Sequence, residues 1–211
     1  PTIGGMLLFG TCERVTALLP GSDMCLTRYS GDTVSDPIIE QVQLSGNLFY
    51  LFERAWRFIT CYVDLLDERP SRRQWRELAG GMDSAESADP FLSIRASYHR
   101  GILTESLTNL MVHRSWGNRD KPARIDIFDR RIELINPVLR GELPQSSIRY
   151  GVGNAVNPQI KAVFTNPHYG LTLVHGGLTW LVPEQGRFTR RPVEWPTIHN
   201  GEFRLKIDGV C

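Results

Sequence analysis

The segment Gly101 to Trp116, GILTESLTNLMVHRSW, constrains the fold more than any other part of this chain. As a helix it puts Leu103, Leu107, Leu110 and Met111 on one face, at the i, i+3, i+4 spacing of a buried stripe. The other face carries Glu105, Asn109 and His113, each four residues after the last, with Trp116 ending the row. Residues four apart stack one above another on a helix, so a carboxylate, a carboxamide and an imidazole aim into one space. The chain then runs ARIDIFDRRIELINP. Here Ile125 and Ile127 alternate with Arg124 and Asp126, a turn falls near Asp129-Arg130, and Arg131 to Ile135 returns, which is the pattern of a β-hairpin. A polar row on a core helix packed against a sheet marks a candidate site.

Around this unit the chain reads as alternating strands and helices. Ile3 to Gly10 and Ser22 to Tyr29 read as short strands, with Pro20-Gly21 as a turn between them and Ser30 to Pro37 as a loop. Leu48 to Leu66 keeps helical period and predicts one long amphipathic helix, with Ser45 as its N-cap. Its aromatic residues are assigned to the core, because large apolar side chains at helical spacing bury against a sheet. Asp67 to Asp89 is polar and rich in small residues, which predicts a mobile insertion. Gly141 to Val156 reads as irregular. Asn157 to Thr165 forms a short helix with Pro158 in its first turn, Val174 to Gly186 holds the Gly176-Gly177 pair, and GEFRLKI closes as a strand. The order β-β-α-α-β-β-α-β predicts an α+β two-layer sandwich, a mixed sheet with helices on one face. Three segments follow: residues 1–66 with the first strands and the long helix, 67–98 as a flexible insertion, and 99–211 as the ligand-binding unit.

A chain of 211 residues suffices for one substantial core. Its 24 basic and 23 acidic residues give a net charge of +1, so there is no global basic excess to argue for nucleic acid. The clusters Arg72-Arg73, Arg130-Arg131 and Arg187 to Arg191 are read as solvated surface arginine. Cys12, Cys25, Cys61 and Cys211 show no C-x-x-C spacing, which argues against structural zinc and fits a reducing, cytoplasmic compartment. No apolar run approaches the roughly 20 residues of a membrane helix, and no signal-peptide pattern opens the chain. Without an initiator methionine, it is expected to be part of a longer protein. No G-x-x-x-x-G-K-[ST] loop occurs, so helicase motor chemistry is not expected, and no G-x-S-x-G elbow supports a hydrolase.

The pattern E-x-x-x-N-x-x-x-H-R, followed by a hairpin ending R-I-E-hydrophobic-x-N-P, resembles the divergent GHKL-type (histidine-kinase-like) ATPase domain. That domain occurs in bacterial RecG-like helicases and Schlafen/AlbA-type transcriptional regulators. PTIGGMLLFG, Asn157-Pro158, Gly176-Gly177 and GEFRLKI extend the similarity. The resemblance implies ATP with Mg²⁺ as ligand, Glu105 as general base on the attacking water, and Asn109 as ligand to Mg²⁺ held on the phosphates. It also implies nucleotide contacts from His113, Arg114, Asn136, Gly176 and Gly177. DNA would be reached through domains outside this chain, with homo-oligomerisation as a further expectation. Three departures stand out, one of them the glycine-rich lid, reduced here to His175-Gly176-Gly177-Leu178. The family's Asp-x-Gly motif, whose Asp reads the adenine amino group, is here Asn136-Pro137-Val138, and many relatives carry Asn-Pro-Gly. A β-branched Val crowds the backbone approach that Gly allows. Ser115 stands where relatives often have Asp. The expectation is therefore weak or degenerate nucleotide binding with at most slow hydrolysis. The alternative is a dimerisation or interaction module that binds no nucleotide.

Overall fold

In chain order the elements are α1 (Ile3–Phe9), α2 (Cys12–Leu18), β1 (Met24–Tyr29), β2 (Ile38–Leu44), α3 (Leu48–Tyr62), β3 (Asp64–Leu66) and β4 (Ser97–His99). They continue with α4 (Arg100–Val112), β5 (Ala123–Ile127), β6 (Arg131–Pro137), α5 (Pro158–Phe164), α6 (Leu178–Thr189), β7 (Thr197–His199) and β8 (Glu202–Asp208). This computed structural model describes residues 2–68, 95–116, 121–138, 148, 157–169 and 176–210. Six strands form one sheet in the order β2-β1-β5-β6-β8-β7, parallel between β1 and β5 and antiparallel elsewhere. β3 and β4 form a separate parallel pair. The expected α+β sandwich with a mixed sheet is the observed fold.

Side-chain alternation decides which face of the sheet becomes core. Met24 and Leu26 on β1, Ala123, Ile125 and Ile127 on β5, Ile132 and Leu134 on β6, and Leu205 and Ile207 on β8 all point inward and are buried. Against them pack α3 on β1, α4 on β6 and α6 on β8. Because β1 pairs directly with β5, residues before and after the 67–98 segment share one sheet.

The opposite face is a lattice of charge. Asp126 and Glu133 face each other in register, and Glu133 takes Arg131 at 2.7 Å and Arg204 at 3.0 Å. Like charges directly opposite repel across a strand pair. Burial pushes the Asp126 carboxyl up to about 6, with Arg124 opposing and Glu133 adding to the rise. A carboxyl raised from 3.8 holds its proton more tightly in the folded state. Its contribution is therefore complete below about pH 4 and is lost as pH rises through about 6. At neutral pH the ionised Asp126 costs the fold on the order of 3 kcal/mol. Asp126→Asn is expected to be more stable than wild type at about pH 8, with the advantage gone near pH 4. Urea unfolding across that range checks it, and a difference that does not change with pH would contradict it.

Several local expectations are corrected. Ile3 to Gly10 is helix, not strand: Thr2 Oγ1 accepts from Gly5 N at 3.1 Å as an N-cap, and the two adjacent residues Leu7 and Leu8 are both buried. A strand sends neighbours to opposite faces and would not bury both on one. The long helix starts from Asn47, whose side chain accepts from Tyr50 N at 2.9 Å, and Ser45 instead bonds Asp23. It ends at Tyr62, because Asp64 to Leu66 pairs with Ser97 to His99. Further elements are not expected from the sequence: α2, the short strands β3, β4 and β7, helix α6, and the edge strand β2, most of whose residues are exposed and so show no alternation. The expected insertion lies largely outside the described residues, although Ser97 and Tyr98 at its end are buried in β4. The stretch from Gly141 to Val156 lies outside them too, except Ile148.

Candidate functional site

Helix α4 begins at His99, whose Nδ1 accepts from Ile102 N at 3.3 Å, and ends at Val112 rather than Trp116. It is central, not amphipathic: Glu105, Ser106 and Thr108 are as buried as Leu103 and Leu107. The hydroxyls of Ser106 and Thr108 bond back to the carbonyls of Ile102 and Thr104, which lets polar residues sit inside the core. Two asparagines terminate the helix. Asn136 Nδ2 donates to Leu110 O at 2.8 Å, and Asn157 Nδ2 donates to Val112 O at 2.9 Å and Arg114 O at 2.8 Å. The last carbonyls of a helix have no partners within it, and here strand β6 and the start of α5 supply them.

Where α4, β6, β8, α5 and the start of α6 meet, they enclose a cavity of about 270 Å³. Glu105, Asn109 and His113 line it from α4, Asn136 and Val138 from the β6 end, and Gly176 and Gly177 from the loop before α6. Apolar surface comes from Leu134, Phe203 and Leu205, and Lys161 and Thr165 of the α5 segment complete the wall.

Each polar group has a distinct environment. Glu105 is 2% exposed and its Oε1 accepts from Gly177 N at 2.8 Å, so its carboxylate sits at the N-terminus of α6. The helix dipole favours a negative group there. Gly176 and Gly177 have φ of 119° and 68°, a backbone path that a side chain would strain, and it is this path that turns the amide toward Glu105. Asn109 makes no side-chain hydrogen bond among the described residues, and its Nδ2 is buried. Asn136 is 3% exposed; with Nδ2 committed to Leu110, its buried Oδ1 has no donor among the described residues. Burial holds the His113 imidazole below its usual range, and the nearby Lys161 charge adds to the effect.

Of the seven expected site residues, six border this cavity and Arg114 does not. Arg114 is turned the other way and buried. Its guanidinium donates to the carbonyls of Ser22 at 3.0 Å, Asp23 at 2.8 Å and Gly21, and stacks over Trp116 at 4.6 Å. Of the two roles open to Arg114, nucleotide contact or packing, its side chain takes the second, tying the end of α4 to the backbone before β1. Lys161, Thr165 and Phe203 were not foreseen as site residues. Only Lys161 had a visible signal, a cation three residues after the Asn157-Pro158 helix start.

No family model matches this chain, and no curated protein matches it. Among solved structures, the crystal structure of the DIP2311 protein from Corynebacterium diphtheriae is similar, with a TM-score of 0.61 at 13% identity. The match covers 98% of this chain and 36% of that one. At that identity it speaks for the fold alone.

Proposed function

We propose that this chain is a GHKL-like regulatory module that binds an adenine nucleotide weakly, within a longer DNA-associated regulator. One observation carries the reading: six residues to which the resemblance assigns nucleotide chemistry, spread from Glu105 to Gly177, border a single cavity. The unpartnered Asn136 Oδ1 offers an acceptor for an exocyclic amino group at the place where the family reads adenine. Among the described residues no group of three or more His, Cys, Asp or Glu could hold a metal. Magnesium would therefore arrive with the phosphates, which supply most of its oxygen ligands, and Asn109 would add one more. Glu105 would accept a proton from a water near that ion, and its bond to the Gly177 amide ties it to the start of α6.

Weak affinity follows from two features. A hydrogen bond to a charged acceptor is worth roughly 1.5–3 kcal/mol, against about 1 for a neutral one, so Asn in place of Asp loses on the order of tenfold. Val138, which lines the cavity, adds side-chain bulk where many relatives have glycine. In calorimetry, Val138→Gly is expected to strengthen ATP binding, and Asn109→Ala to abolish its Mg²⁺ dependence. Low-micromolar binding by wild type would contradict the degraded site. Absence of binding to both wild type and Val138→Gly at millimolar nucleotide would leave an interaction module. That second reading is favoured by one surface feature, the exposed aromatic pair Phe9 and Tyr169, with ring centroids 6.3 Å apart.

Among the described residues no helix is long and apolar enough to cross a membrane.

A further inference from the structure

We propose that Lys161 receives the anionic end of the cavity's ligand, so that the site takes a phosphorylated small molecule in preference to its neutral parent; this rests on the nucleotide reading above. The chain has three lysines. Lys121 pairs with Glu202 at 3.6 Å and Lys206 with Asp208 at 3.5 Å. Lys161, which borders the cavity, has no carboxylate within salt-bridge distance among the described residues.

The cavity is graded from apolar to cationic. Leu134, Phe203 and Leu205 come from the sheet, and Asn136 borders the same space with a buried Oδ1 that has no hydrogen-bond partner among the described residues. Against α4 packs α5, which brings Lys161 and Thr165 into the wall that also holds His113. The carboxylate of this wall, Glu105, already accepts from the Gly177 amide. A ligand with a planar, amino-bearing part and a charged tail satisfies both ends: its amino group meets the Asn136 oxygen, and its tail meets the ammonium of Lys161. An uncharged ligand would satisfy only one. The ammonium already acts on this space, since its charge helps to hold the His113 imidazole below its usual range. An anion seated between the two would reverse that influence on His113.

Lys161 is exposed on a short helix and ties no other element down, so its replacement should leave the fold intact. The test measures binding of adenosine and ADP by calorimetry, and the thermal shift with pyrophosphate, for wild type, Lys161→Ala and Lys161→Arg. Wild type is expected to bind ADP about tenfold or more tightly than adenosine, the scale of a charge-assisted contact. Lys161→Ala should lose that preference while binding adenosine as before, and Lys161→Arg should keep most of it. Equal affinity of wild type for ADP and adenosine, or an undiminished preference in Lys161→Ala, would overturn the role of Lys161 and leave the nucleotide reading standing. Should neither adenosine nor ADP bind, the nucleotide reading fails and pyrophosphate decides. Stabilisation of wild type that disappears in Lys161→Ala would still support the anion contact, and no stabilisation of wild type would overturn it as well.

Discussion

Replacing Arg114 by alanine is expected to destabilise the fold by roughly 3–5 kcal/mol, among the largest single-residue effects outside the apolar core. Arg114 is 1% exposed, and its guanidinium serves the carbonyls of three consecutive residues, Gly21, Ser22 and Asp23, just before β1. Truncation leaves those carbonyls facing a void, and each buried acceptor without a donor costs about 1–3 kcal/mol. It also removes the packing over Trp116. Burial lowers the Arg114 pKa to about 10, so the group stays protonated at neutral pH and the bonds remain charge-assisted. Lysine should rescue little, because one ammonium does not reproduce a planar fork that meets three acceptors. In a chain of this size the alanine variant should melt about 10 °C lower. A loss under about 1 kcal/mol in urea unfolding would show that the start of β1 is held by something else.

Glu105→Ala is expected to cost about 2–3 kcal/mol, and Glu105→Gln about half as much. Alanine removes the acceptor of the Gly177 amide and the negative charge at the start of α6 together, whereas glutamine keeps an acceptor oxygen and loses only the charge. The damage should be local. Hydrogen exchange at Gly177 and the first turn of α6 should accelerate in the alanine variant before exchange in β5 or β6 changes. If both variants unfold at the wild-type urea midpoint, Glu105 does not anchor α6. For function the order of effects separates two roles. A catalytic base predicts that Glu105→Gln binds nucleotide and fails to hydrolyse it. A helix anchor alone predicts that binding weakens in step with the mobility of α6.

The α4–hairpin unit was legible because its two periods are both strong. Leu103, Leu107 and Leu110 repeat at helical spacing, Ile125 and Ile127 repeat at two, and all five are buried, although burial on α4 also takes in Glu105, Ser106 and Thr108 beyond the stripe. The segment before it was not legible. PTIGGMLLFG is a short apolar run with no period of its own, and the hydroxyl of Thr2 is what starts the helix there. β2 was invisible for the opposite reason: an edge strand that buries little has no alternation to read. Asn136 stands where the resemblance expects the adenine-reading residue, and its nitrogen is committed to the end of α4. That bond joins residues 26 apart in the chain, and nothing in the local sequence of either announces it.

What the sequence determined by itself is the set of polar groups on α4 and the strands that follow, because side-chain direction obeys periods set within each element. What only the tertiary structure decided is which of those groups share a space. Glu105, Asn109 and His113 reach the cavity from α4, whereas Arg114, one residue beyond His113, points the opposite way to hold the backbone before β1. The helix ends at Val112, just before both, where Asn136 and Asn157 come from distant parts of the chain to take its last carbonyls. Lys161 enters the same wall only because α5 packs on α4. Spacing sets direction within an element; long-range packing sets which directions converge.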